Sequence, residues 1–180
     1  LAGFREKFEA MTIGDPMEAD TDIGPLATKD IRDELAGQVD QSVKDGATLV
    51  TGGKVPDRAG WFYPPTILAD IPKDAPAYME EFFGPVALFF RVDSIDEAIE
   101  IANATSFGLS SSAFTKDGEE QKRFIRDLVA GGTFINRMTA SDPRIPFGGV
   151  KHSGYGRELS AEGIREFVNI KTVAIDSPAF

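Results

Sequence analysis

Between residues 87 and 136 the chain alternates apolar runs with capped helical segments joined by short links, a rhythm that few folds accept. Residues 87–92 are apolar except for Arg91, as in a strand buried on both faces. Ser94-Ile95-Asp96-Glu97 is a capping box, since the serine hydroxyl can accept a backbone N–H while the glutamate reaches back. It predicts a helix to about residue 103. Residues 109–115 read as the next strand and 118–130 as a helix with Phe124, Ile125, Leu128 and Val129 turned inward. Gly131-Gly132 ends that helix, and residues 133–136 form a further strand. Strand, helix, strand, helix, strand with short links implies an α/β fold, a mostly parallel sheet flanked by helices.

The first half is less regular. Leu1, Phe4, Phe8 and Met11 share one helical face with no capping residue ahead of them. The pattern reads as a helix entered part-way, so upstream residues are expected in a longer protein. Gly14-Asp15-Pro16 should stop it. Thr28 caps a second helix with the stripe Ile31, Leu35, Val39 and Val43, ended by Gly46. Residues 47–51 read as a short strand closed by Gly52-Gly53. Pro64-Pro65 reduces residues 61–68 to an edge or irregular extended segment. A last helix is expected over 160–167 and a β-branched strand over 171–175. Residues 1–168 are therefore taken as one domain, and 169–180 as a terminal strand and tail.

Composition excludes several roles. A net charge of −10 repels phosphate backbones, which argues against a nucleic-acid partner. No apolar run approaches the ~20 residues that span a bilayer, so no membrane partner is expected. The single histidine, His152, lacks visible co-ligands for a metal site and reads as a surface residue. With no cysteine there is no disulfide framework, which fits a cytoplasmic location.

Three stretches could carry chemistry. In Glu80-Glu81-Phe82-Phe83-Gly84-Pro85-Val86, a carboxylate stands on a stiff turn ahead of a strand. A carboxylate can accept two hydrogen bonds at once, which suits a vicinal diol. On the residues alone, a solvated glutamate pair is the simpler reading. Pro146-Phe147-Gly148-Gly149-Val150-Lys151-His152-Ser153-Gly154-Tyr155-Gly156-Arg157-Glu158 is a backbone-dominated loop without the spacing of a phosphate-binding fingerprint, and Arg157-Glu158 reads as a structural ion pair or cap. Between Asn136 and Pro146 lies a polar loop with Ser141, Arg137 and Arg144, either a carboxylate receptor or a solvated connection.

In this order these motifs resemble the C-terminal, catalytic-domain half of an aldehyde dehydrogenase. Ile23-Gly24-Pro25-Leu26, Phe107-Gly108-Leu109, Phe114-Thr115 and Asn169-Ile170-Lys171-Thr172-Val173 agree with it. The last of these, and the Asn136 to Pro146 spacing, look most like the bacterial succinate-semialdehyde branch. The resemblance implies that Glu81 holds the ribose next to the nicotinamide of NAD or NADP and that Phe83 lies beside that ring. It implies that Phe147 lines the aldehyde pocket and that Ser141 helps hold a substrate carboxylate. It implies a homo-oligomer, dimer or tetramer, formed through the C-terminal strand. The family's chemistry runs through a cysteine thiolate and a glutamate base; neither can be assigned here, so no catalytic residue is named and the isolated chain is expected to be inactive. Two other readings remain: a non-enzymatic interaction module that keeps the family's subunit-contact surface, or a dehydrogenase for another aliphatic aldehyde.

Overall fold

The computed structural model describes residues 1–176 and divides into two compact units, residues 1–93 and 94–180. Among the described residues no helix is long and apolar enough to cross a membrane.

The first unit is built around one helix and one strand. Helix α1 (Ala2–Glu9) stops well short of Gly14. Its Phe4 and Phe8 rings lie 4.6 Å apart. Helix α2 (Lys29–Lys44) begins as expected, with the Thr28 hydroxyl accepting the Ile31 N–H at 3.2 Å; such a cap contributes about 1 kcal/mol. Strands β1 (Thr48–Thr51), β2 (Thr66–Ala69) and β3 (Val86–Phe89) form a sheet in that order, β1 antiparallel and β3 parallel to β2. The short helix α3 (Pro76–Met79) precedes β3.

Strand β2 corrects the expectation for residues 61–68. All four of its residues are buried, and it is the central strand of the sheet rather than an edge. The two prolines stop just before the ladder starts. Thr66 supplies the first donor, to the Pro85 carbonyl at 2.9 Å, so no ladder bond is lost to Pro64 or Pro65. Leu35 and Val39 of α2 meet Tyr63, Leu68 and Ala77 to form the core, with Phe82, Val86 and Leu88 packed around it. Buried Ser42 locks α2 to α3. Its hydroxyl donates to the Gln38 carbonyl at 2.8 Å and accepts the Ala77 N–H at 3.0 Å.

The second unit opens with α4 (Ile95–Ala104), its Ser94 hydroxyl accepting the Glu97 N–H at 3.1 Å. Strand β4 (Phe107–Gly108) pairs antiparallel with β7 (Val150–Lys151). Strand β5 (Ser110–Ala113) pairs parallel with β6 (Gly132–Ile135), connected by α5 (Gly118–Asp127). Helix α6 (Ser160–Arg165) follows β7. The expected run of parallel strands is thus distributed. β3 has its ladder with β2, and β5 with β6.

Helix α5 ends three residues early, and Ile125 and Val129 are 60% and 48% exposed rather than inward. Asn103 explains the stop. Its amide donates to the Asp127 carbonyl and accepts the Val129 N–H, both at 2.8 Å, drawing the chain out of the helix. Residues 171–176, expected as a strand, have no regular structure and lie exposed. A strand exists only where another backbone completes its hydrogen bonds, and none does so here among the described residues. Residues 177–180 of the proposed tail lie outside the described residues.

Candidate functional site

In the first unit the Glu80–Pro85 turn is made of two very tight steps. Gly84 N–H donates to the Phe82 carbonyl at 2.9 Å and Val86 N–H to the Gly84 carbonyl at 2.8 Å. Leu35 of α2 presses against it from below: a Cβ on Gly84 would stand 2.3 Å from a Leu35 methyl, so the turn needs glycine for clearance. Gln38, one helical turn on, reaches the same turn. Its amide nitrogen donates to the Glu80 carboxylate at 3.0 Å and to the Glu81 carbonyl at 3.2 Å.

The two glutamates that look alike in sequence are therefore not alike in the fold. Glu80 is engaged by Gln38. The Glu81 carboxylate is exposed and has no hydrogen-bond or ion-pair partner among the described residues. Beside it Phe83 turns its ring outward, 65% exposed. A carboxylate with both oxygens open, next to an exposed aromatic face, can take a vicinal diol and the flat ring attached to it.

In the second unit Ser141 and Phe147 come together in one shallow pocket, with Ser110, Phe134, Ile145 and Pro146. Asn136 sets where the intervening loop starts. It sits at φ +55°, and its side-chain amide pairs with the Thr115 backbone, accepting from N–H and donating to C=O at 2.9 Å each. The two candidate arginines separate. Arg144 is bound by Asp142, at 2.6 and 2.9 Å through two guanidinium nitrogens. This guanidinium, with the Arg144 N–H, holds the Asp142 carboxyl down at about 2. Arg144 is thus neutralised as a receptor. Arg137 lies over the Phe134 ring, 5.5 Å from its centroid, with no ion-pair partner among the described residues.

The glycine-rich segment is architectural. A Cβ on Gly131 would fall 1.6 Å from the Gly148 carbonyl oxygen, so two backbones cross here in direct contact. The Arg157 guanidinium donates to the Gly149 and Gly156 carbonyls at 2.9 and 2.6 Å, bracing the loop. That corrects the expected Arg157–Glu158 ion pair or cap; Glu158 instead exchanges backbone hydrogen bonds with Phe147. Lys151 places its ammonium on the Asn103 and Thr105 carbonyls at the C-terminal end of α4, at 2.8 and 2.9 Å, where the helix dipole favours a cation. His152 is exposed, its ring edge-on to Phe107. Among the described residues no cluster of acidic and histidine side chains could hold a metal ion.

Each of the two α/β units thus carries its candidate residues on a turn shaped by glycine: Glu81 and Phe83 beside Gly84 in the first, Ser141 and Phe147 near Gly148 in the second. The aldehyde dehydrogenase family model matches residues 1–173, and the chain belongs to that family. It is 61% identical over 172 residues to a Mycobacterium tuberculosis protein named succinate-semialdehyde dehydrogenase [NADP(+)] 1, covering 96% of this chain and 38% of that one. A Mycobacterium avium protein named succinate-semialdehyde dehydrogenase [NADP(+)] is 60% identical over 174 residues. The chain thus spans little more than a third of the length of these curated relatives. Among solved structures, the succinic semialdehyde dehydrogenase of Streptococcus pyogenes in complex with NADP+ superposes with a TM-score of 0.92 at 39% identity, covering 98% of this chain and 40% of that one. A lactaldehyde dehydrogenase does so with a TM-score of 0.94 at 30% identity, covering 98% and 37%.

Proposed function

We propose that this chain is the C-terminal, catalytic-domain portion of an NADP-dependent dehydrogenase that oxidises succinate semialdehyde to succinate. The observation that carries this reading is the 61% identity, over nearly the whole chain, to proteins bearing that name. NADP is favoured over NAD by the same names. The order of the motifs supports the C-terminal placement; these 180 residues hold no cysteine, so on this reading the thiolate nucleophile would come from outside them.

The chain's own residues fit the coenzyme. The unpaired Glu81 carboxylate would accept both ribose hydroxyls, and the exposed Phe83 ring would lie beside the nicotinamide. When bound, the nicotinamide accepts the aldehyde hydrogen as hydride. Phe147 would wall the aldehyde's carbon chain. Ser141 would donate to the far carboxylate, with Arg137, which makes no direct ion pair among the described residues, as the nearby positive charge. Residues 171–176, exposed and without ladder partners, would add to a sheet of a second copy, making a homo-oligomer. The cytoplasm is the proposed location.

The test is NADPH formation from succinate semialdehyde. The isolated 180-residue chain should give none, and the whole encoded protein should turn over. In the whole protein, Ser141→Ala should raise KM for succinate semialdehyde about tenfold, as expected for one lost charge-assisted hydrogen bond. It should leave KM for an uncharged aliphatic aldehyde nearly unchanged. Equal effects on both aldehydes would remove the carboxylate role, and turnover by the isolated chain would overturn the placement of the nucleophile.

A further inference from the structure

Gln38 has no role among the groups assigned above, yet its side chain reaches from α2 to both glutamates of the pair. We infer that Gln38 is a positioning residue for Glu81. It fixes the Glu81 backbone and draws the neighbouring Glu80 carboxylate toward α2 through one of its oxygens, so that Glu81 is the acidic group offered to the coenzyme ribose. The inference rests on the coenzyme role proposed for Glu81.

Three observations converge. First, the Gln38 amide spends its two hydrogens on two different acceptors of the turn, the Glu80 carboxylate and the Glu81 carbonyl. Both partners are acceptors, so only the nitrogen of the amide can face them. Second, the face of α2 that carries Gln38 is anchored along its length. Leu35, three residues before it, is buried under Gly84, and Ser42, four residues after it, ties the Gln38 carbonyl to the N–H of Ala77 in α3. The amide is therefore presented from a rigid base to the turn that leaves α3. Third, adjacent carboxylates repel and each would draw a donor. Engaging Glu80 alone leaves Glu81 as the open acceptor. A glutamine does this without adding charge. A lysine at the same place would neutralise Glu80 but would also attract Glu81 away from a ligand.

The experiment uses the whole encoded protein, with NADP+ binding followed by calorimetry and both KM values by NADPH formation. Gln38→Ala should weaken NADP+ binding about tenfold, the scale of one or two lost hydrogen bonds, with Tm and the KM for succinate semialdehyde nearly unchanged. Gln38→Glu should weaken it further, because an acceptor then faces a carboxylate and a carbonyl. In a Glu81→Gln background, Gln38→Ala should add nothing, since its effect runs through Glu81. Wild-type affinity in Gln38→Ala, or an undiminished loss in the Glu81→Gln background, would overturn the inference. So would a fall in Tm that accompanies a rise in both KM values, which would assign Gln38 to packing. If the unaltered protein binds neither NADP+ nor NAD+, the coenzyme reading itself falls and takes this one with it. Wild-type binding with an unaffected Gln38→Ala defeats the inference alone.

Discussion

Asp142 and Arg144 form an ion pair two residues apart, next to Ser141 in the chain. The Arg144 guanidinium, then its backbone N–H, holds the Asp142 carboxyl at about 2. A depressed carboxyl contributes stability above its unfolded pKa, near 3.9, and loses it as pH falls through the folded value. The loop should therefore keep its arrangement at pH 4 and loosen toward pH 2, which amide exchange of residues 141–145 would register. Asp142→Asn removes the partner and frees Arg144. In the whole protein, KM for succinate semialdehyde should then fall about two- to fivefold, the scale of an exposed charge effect, and an unchanged KM would show that Arg144 lies out of reach. At this scale the sequence spoke unevenly. Glu81, Phe83, Ser141 and Phe147 could be named from motif resemblance. The division of labour between Glu80 and Glu81 could not, because the residue that makes it, Gln38, lies 42 positions away from its partner with no motif of its own.

The starts of α2 and α4 were legible because caps are local: Thr28 and Ser94 act within three residues of themselves. Strand partners were not, because ladders join distant segments. Pro64-Pro65 argued against a strand, and β2 begins at the very next residue as the centre of its sheet. The α5 terminus was missed for the same reason, since Asn103 acts on it from 24 residues away. Asn103→Ala should cost about 1–2 kcal/mol in urea unfolding, for two lost backbone hydrogen bonds, one partly buried and one exposed. A change under about 0.5 kcal/mol, the range of ordinary surface substitutions, would deny it that role. Gly52 lies at φ +76°, and a Cβ there would come 2.3 Å from the Pro65 carbonyl. Gly52→Ala should therefore cost about 2–3 kcal/mol or more through strain at the mouth of β2, read by the same measurement.

Taken whole, the molecule places its best-buried core in the first unit, where Tyr63 is almost fully enclosed. Burial, then the Asp40 charge, pushes its hydroxyl up to about 12. A raised acid favours its neutral form in the fold, so the contribution is complete below the unfolded pKa near 10 and is lost as pH climbs through the folded value. Ultraviolet difference absorbance should show one of the three tyrosines ionising late, near pH 12 or with unfolding, and Tyr63→Phe should delete that step. A titration unchanged by Tyr63→Phe would contradict the enclosure.

The crossing of Gly131 over Gly148 bears on how this chain can vary. The space for a methyl at Gly131 is occupied by main-chain oxygen, which has no rotamer to change. Nineteen of the twenty genetically encoded amino acids carry a carbon there. No missense step at that codon can be rescued by repacking a neighbour; it can be tolerated only by parting the two strands of polypeptide. A saturation library scored for folding should return an empty column at position 131, beside columns at exposed positions such as Tyr155 that accept nearly anything.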